Sequence, residues 1–143
     1  MNANYSSETT MINHQIEIFF QSKAFAVIGA SSNRSKYGNE VLRCYLENNK
    51  TVYPVNPQED LIEGLSVVHS VRELPDEVES ISIITPPAIT EKIVEEAIKR
   101  RIKNIWMQPG AESDLAIQNC KHHNINIIAQ GPCILVILNY VEH

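Results

Sequence analysis

Ala24-Phe25-Ala26-Val27-Ile28-Gly29-Ala30-Ser31-Ser32-Asn33-Arg34-Ser35-Lys36-Tyr37-Gly38 is the stretch whose reading decides the fold. Residues 24–30 are apolar without alternation, as in a strand covered on both faces. The polar residues that follow lead into Val41, Leu42, Tyr45 and Leu46, whose spacing stripes a helix ending at Asn48 and Asn49. A strand that passes through a small polar loop into a helix gathers free N–H groups and the positive end of the helix dipole at that loop. Ser31, Ser32 and Ser35 add hydroxyls, Arg34 and Lys36 add charge, and Gly29 and Gly38 permit close backbone approach. The loop reads as a phosphate cradle, although its spacing is neither G-x-G-x-x-G nor G-x-x-x-x-G-K-[ST].

Working outward, the alternation of strand and helix repeats. Strands are expected at residues 51–55, 81–85, 104–108 and 125–129, with helices at about 11–22, 88–101 and 113–122. Residues 58–80 are less regular, with a short helix near 71–74. A last apolar run, 134–138, fits either a short helix or an edge strand. Apolar strands separated by helices imply parallel pairing with both faces covered. The expectation is one Rossmann-like, doubly wound α/β/α domain over residues 11–143, after a disordered tail at 1–10, with five parallel strands in the order 3-2-1-4-5.

Gly29, Asn56-Pro57, Pro86-Pro87, Pro109-Gly110 and Gly131-Pro132 all punctuate the carboxyl ends of strands. The return turns at the other edge carry little Gly or Pro. In an open parallel sheet the carboxyl edge is where ligands bind. A dinucleotide site of the NAD type would carry an acid at the end of strand two, but none appears there before Glu59. The cluster Lys99, Arg100, Arg101 and Lys103 falls at a helix C-terminus and at the far edge, so it is read as structural.

Composition fits these expectations. The 143 residues are 43% hydrophobic and 20% charged, ordinary globular usage. A net charge of −5 disfavours a nucleic-acid surface, and no apolar run is long enough to span a membrane. No acid occurs between Glu17 and Glu40, so the cations near the loop are locally in excess. Three widely spaced cysteines support neither a disulfide framework nor a zinc site. A polar N-terminus without a signal pattern points to the cytoplasm. Adjacent His122 and His123 read as a solvated helix end, and Trp106 as core. No acid–base pair or nucleophile elbow marks a strand end, which weighs against an enzyme.

The loop from Gly29 to Gly38, Val55-Asn-Pro57, Thr85-Pro-Pro87, Trp106-Met-Gln-Pro-Gly110 and Gly131-Pro-Cys133 together resemble the small stand-alone CoA-binding proteins, relatives of the nucleotide-binding domain of the succinyl-CoA synthetase alpha subunit. The resemblance runs from about Lys23 to Leu138. It implies binding of coenzyme A, with Gly29, Ala30, Ser31, Ser32, Arg34, Lys36, Tyr37 and Gly38 at the phosphates. Asn56 would lie near the adenosine end, and Thr85, Pro86, Pro87, Gln108 and Gly110 would line the groove. Where many relatives carry a Lys after the second-strand Asn-Pro, this chain has Gln58, Glu59 and Asp60, which bears on the 3′-phosphate. The expected function is non-catalytic binding of CoA or an acyl-CoA, as a sensor or carrier. The rivals are an NAD(P)-dependent enzyme of the same fold and a regulatory subunit that no longer binds nucleotide. The oligomeric state and any protein partner stay open.

Overall fold

A computed structural model describes residues 3–139. Helix α1 (Ala3–Phe19) leads into β1 (Ala24–Ile28), α2 (Tyr37–Glu47) and β2 (Val52–Val55). A small hairpin, β3 (Leu61–Ile62) and β4 (Leu65–Ser66), and a 3-10 turn (Val71–Glu73) precede β5 (Val78–Ile83) and α3 (Pro87–Lys99). The chain closes with β6 (Asn104–Met107), α4 (Asp114–His122), β7 (Asn126–Ile128) and α5 (Ile134–Ile137). Helix α1 therefore begins eight residues before the expected start at Met11 and takes in most of the stretch read as a tail. The run at 134–138 resolves as a short helix.

The five long strands form one parallel sheet in the order β2-β1-β5-β6-β7. In chain order this is 2-1-3-4-5, which corrects the expected 3-2-1-4-5. The reason is local to β2. Its outer edge is already taken, since Val68 N–H donates to the Pro54 carbonyl (2.9 Å) and Asn56 N–H to the Val68 carbonyl (3.1 Å). Pro54 has no N–H to offer a further strand on that side. The next long strand, β5, therefore pairs on the far side of β1, and the order reverses between β1 and β5. Pro54 was the available signal, because proline inside a strand marks a sheet edge.

Both faces of the sheet are covered, as the apolar strands require. In β1 the alternation is plain: Ala24, Ala26 and Ile28 pack towards α3 and α4 with Val94, Ala97, Ala116 and Cys120. Phe25 and Val27 pack towards α1, α2 and α5 with Phe19, Val41, Leu42, Tyr45 and Ile134. Trp106 is wholly buried, meets Phe19 edge-to-face at 5.3 Å, and donates its indole N–H to the Pro132 carbonyl (3.1 Å). Helix α2 ends at the Asn48-Asn49 pair, as expected, and α4 opens on a side-chain cap. Asn49 takes φ 58° just past α2, and the Ser113 hydroxyl accepts from Ala116 N–H (3.2 Å) at the start of α4. The hairpin, unforeseen in the irregular stretch, turns on Glu63 and Gly64 with φ 49° and 79°, the two positive values that a two-residue turn of this hand demands.

Candidate functional site

The strand order reverses between β1 and β5, so the loops that leave these two strands flank the crevice where doubly wound sheets bind ligands. They touch. Gly29, at φ 96°, presents its Cα face to Thr85, whose Cγ2 would lie 3.4 Å from any added Cβ. Gly38 lies closer still to its neighbour, since a Cβ there would stand 2.1 Å from the Gly29 carbonyl oxygen. Gly38 is bare so that α2 can seat against the end of β1.

The loop after β1 is held from beneath by its carbonyls. Asn56 Nδ2 donates to the Ala30 carbonyl (2.9 Å), Asn39 Nδ2 to that of Ser31 (2.8 Å), and Arg43 to that of Arg34 (3.0 Å). In a trans peptide the next N–H points the opposite way; of the amides that follow these three carbonyls, Ser32 N–H donates to Glu59 Oε2 (3.1 Å) and Ser35 N–H to Asn33 Oδ1 (3.0 Å). The first-turn N–H groups of Tyr37 and Gly38 lack partners among the described residues, as helix starts do. Ser32, Arg34 and Lys36 are exposed, Ser31 and Tyr37 half-buried, and Ala30 and Gly38 buried. Asn39 and Arg43 were missed from the sequence. Their signal was two polar residues four apart on a helix face otherwise apolar, and Arg43 Nε indeed donates to Asn39 Oδ1 (2.7 Å).

The cation excess is smaller than the local sequence suggests. Glu59 Oε2 accepts from Ser32 N–H (3.1 Å), and Glu63 Oε2 lies 3.6 Å from Arg34 Nε. Both acids arrive from beyond β2, through contacts 27 and 29 residues apart that no local window reveals.

The other expected residues divide. Thr85 shares a hydroxyl contact with Thr90 (2.9 Å), and exposed Pro86 and Pro87 open α3, with Pro86 accepting from Ile89 and Thr90 N–H. This loop offers apolar surface and no amide cradle. Gln108 is fully buried rather than lining an open wall: its Oε1 accepts from the Tyr37 hydroxyl (3.2 Å) and Ile134 N–H (2.9 Å). Two donors on one oxygen fix the orientation of the amide, and leave its Nε2 a buried donor without an acceptor. Burial, with a hydrogen bond to Cys133, drives the Tyr37 phenol far above its ordinary value, so it stays protonated. Gly110 takes φ 95° with open space around its Cα and gives its N–H to Glu112 (2.8 Å), so turn geometry accounts for it.

An open pocket of about 730 Å³ lies at the opposite edge, among Ser22, Glu79, Arg101, Lys103, Asn124 and Asn126. Helices α1, α3 and α4 all end there, which gathers negative dipole ends. Lys103 is paired with Glu79 (2.7 Å), and Arg100 donates to the Leu74 and Pro75 carbonyls. Two of the four cations of the basic cluster, Arg100 and Lys103, thus have partners within the fold. Among the described residues no cluster of ligating side chains is arranged for a metal, and no helix is long and apolar enough to cross a membrane.

Fold and crevice define a doubly wound α/β domain whose first strand-to-helix loop lies at the point where its strand order reverses. The chain belongs to the CoA binding domain family, whose model matches residues 23–139. It is similar to an ADP-forming acetate–CoA ligase of Methanocaldococcus jannaschii, with 28% identity over 135 residues, 89% of this chain and 19% of the ligase. The alpha subunit of an ADP-forming acetate–CoA ligase II of Pyrococcus furiosus shares 33% over 91 residues, 63% of this chain and 20% of that subunit. Among solved structures, a conserved hypothetical protein of Pyrococcus furiosus superposes with a TM-score of 0.77 at 39% identity, covering 80% of this chain and 98% of that one. The chain thus spans about a fifth of the length of the curated ligases it matches.

Proposed function

We propose that this domain binds coenzyme A, or an acyl-CoA, at the carboxyl edge of its sheet, and that it does so without catalysing a reaction. One observation carries the reading: the anchored loop after β1 meets the free first-turn N–H groups of α2 at the switch point, beside the apolar start of α3. The first-turn amides of α2, with the side chains of Ser31, Ser32, Arg34 and Lys36, suit a pyrophosphate. Thr85, Pro86 and Pro87 suit an adenine face or a pantetheine arm. The orphaned Gln108 amide, buried under this crevice beside Tyr37, is a further donor that a ligand group or a water would satisfy.

Absence of catalysis is supported by the state of the ionisable groups nearby. Glu59 and Glu63 are engaged with the loop, Arg34 is paired, and Tyr37 holds its proton. Calorimetric titration with CoA, NAD and ATP tests the reading. CoA is expected to bind most tightly, and tighter binding of NAD would transfer the domain to the dinucleotide enzymes.

A further inference from the structure

Dinucleotide sites on this fold recognise the adenosine ribose with an acid at the end of the second strand, which accepts hydrogen bonds from the ribose hydroxyls. Strand β2 ends on Val55 and Asn56, and the acid nearest in sequence is Glu59. Asn56 Oδ1 accepts from the N–H of Gln58 (2.7 Å) and of Glu59 (3.1 Å), which folds the chain back immediately after the strand. The Glu59 carboxylate is thereby returned to the first loop, where Oε2 accepts from Ser32 N–H (3.1 Å) and from Asn56 Nδ2 (3.4 Å). Asn56 is itself fixed on the Ala30 carbonyl, so the carboxylate rests on a braced support. The carboxylate therefore lies between the end of β2 and the first loop.

We propose that Glu59 is a specificity-determining residue that reads the adenosine ribose as a free diol, so that this domain prefers dephospho-CoA to CoA. The proposal rests on the reading that the carboxyl edge takes a CoA-type nucleotide. Glu59 Oε2 is engaged with the loop, while Oε1 bonds to nothing among the described residues. A ribose with free 2′ and 3′ hydroxyls donates protons to such an oxygen. A 3′-phosphate removes one of those donors and brings about two negative charges against a carboxylate. Neutralisation is scarce on this side. Arg34 is paired with Glu63 (3.6 Å), Glu63 also accepts from Asn39 Nδ2 (3.3 Å), and Asp60 adds a further acid, bonded to His69 (3.0 Å). Lys36, at the cap of α2, stands at the dipole end that favours the pyrophosphate.

The test is parallel calorimetry of dephospho-CoA and CoA on the wild type and on Glu59→Gln, Glu63→Gln and Gln58→Lys. Glutamine at 59 keeps an acceptor for Ser32 N–H while removing the charge, and thermal melts verify that each variant is folded. Dephospho-CoA is expected to bind the wild type about ten-fold more tightly, the worth of a charge-assisted hydrogen bond to ribose. Glu59→Gln is expected to close the gap from both sides, Gln58→Lys to raise CoA alone, and Glu63→Gln to shift both ligands together. Equal or tighter binding of CoA by the wild type overturns the proposal. So does a gap that survives Glu59→Gln, because Glu59 would then serve only to cap Ser32. Those outcomes leave the CoA reading standing, whereas binding of neither ligand overturns both.

Discussion

Replacement of Gly38 by alanine tests the contact that sets the crevice. The new Cβ would stand 2.1 Å from the Gly29 carbonyl oxygen, 3.1 Å from the Gly29 carbonyl carbon and 3.3 Å from the Ala30 Cα. An ordinary carbon–oxygen contact is about 3.3–3.6 Å, so the start of α2 must retreat from β1 by about 1 Å. Both sides of the clash are backbone, so no rotamer relieves it. Overpacking of a tight contact costs about 1–3 kcal/mol, and a backbone clash belongs at the upper end. Alanine returns at most about 1 kcal/mol through helix propensity. The net loss is about 2 kcal/mol, or a fall in Tm of about 4–8 °C for a chain of this size. Thermal unfolding followed by circular dichroism measures it, and CoA titration of the folded variant should show weakened binding as the loop moves. A Tm equal to or above the wild type would mean that helix propensity governs the position, and would refute the close-packing argument.

Gly110→Ala should also destabilise, by about 1–2 kcal/mol in urea unfolding, through its positive φ rather than through lack of space, and should leave CoA binding unchanged where Gly38→Ala weakens it. Asn39→Ala removes the donor to the Ser31 carbonyl and the acceptor for buried Arg43, so it should cost about 2–3 kcal/mol in urea unfolding and weaken CoA binding beyond what stability explains. Replacing Arg34 and Lys36 together by alanine should lower CoA affinity at low salt and flatten its salt dependence; an unchanged titration would reduce both to solvated surface. Burial pushes the Cys44 thiol up to about 12, with a further push from Glu47, and burial alone takes Cys120 up to about 11. An alkylating reagent at neutral pH should therefore label half-buried Cys133 in the native protein and all three cysteines after denaturation, as read by mass spectrometry. Because both thiols ionise more readily once unfolded, stability should decline as pH rises above their ordinary value of 9.0.

What the sequence discloses here follows from the range over which each signal acts. Strands, helices and their ends are written in neighbouring residues, and the apolar run at 24–30 and the Asn48-Asn49 terminus were legible for that reason. Strand order was misread because it depends on which side of β1 the third long strand joins, and its one local trace, Pro54, looks like an ordinary strand residue until edges are considered. The loop after β1 was legible as a cradle through its serines and cations. Its true charge balance was not, since Glu59 and Glu63 reach it only after an Asn56 turn and a hairpin bring them back. Gly38 shows the same limit in another form. A glycine announces that something comes close, and only the fold says whether that is a ligand or the protein's own backbone.

The blocked flank of β2 also has a consequence for assembly. A parallel sheet has two open rims, each a template on which another chain can extend the ladder. On one rim Pro54 offers no amide and Val68 already holds the neighbouring carbonyl and N–H. On the other, α1 lies along β7, with Gln15 Nε2 on the Ile127 carbonyl (3.0 Å) and Asn126 Nδ2 on the Gln15 carbonyl (3.0 Å). Both rims are thus blunted against strand addition by the chain's own residues, which directs any association between copies to helices and loops and guards a largely apolar sheet from growing into fibres.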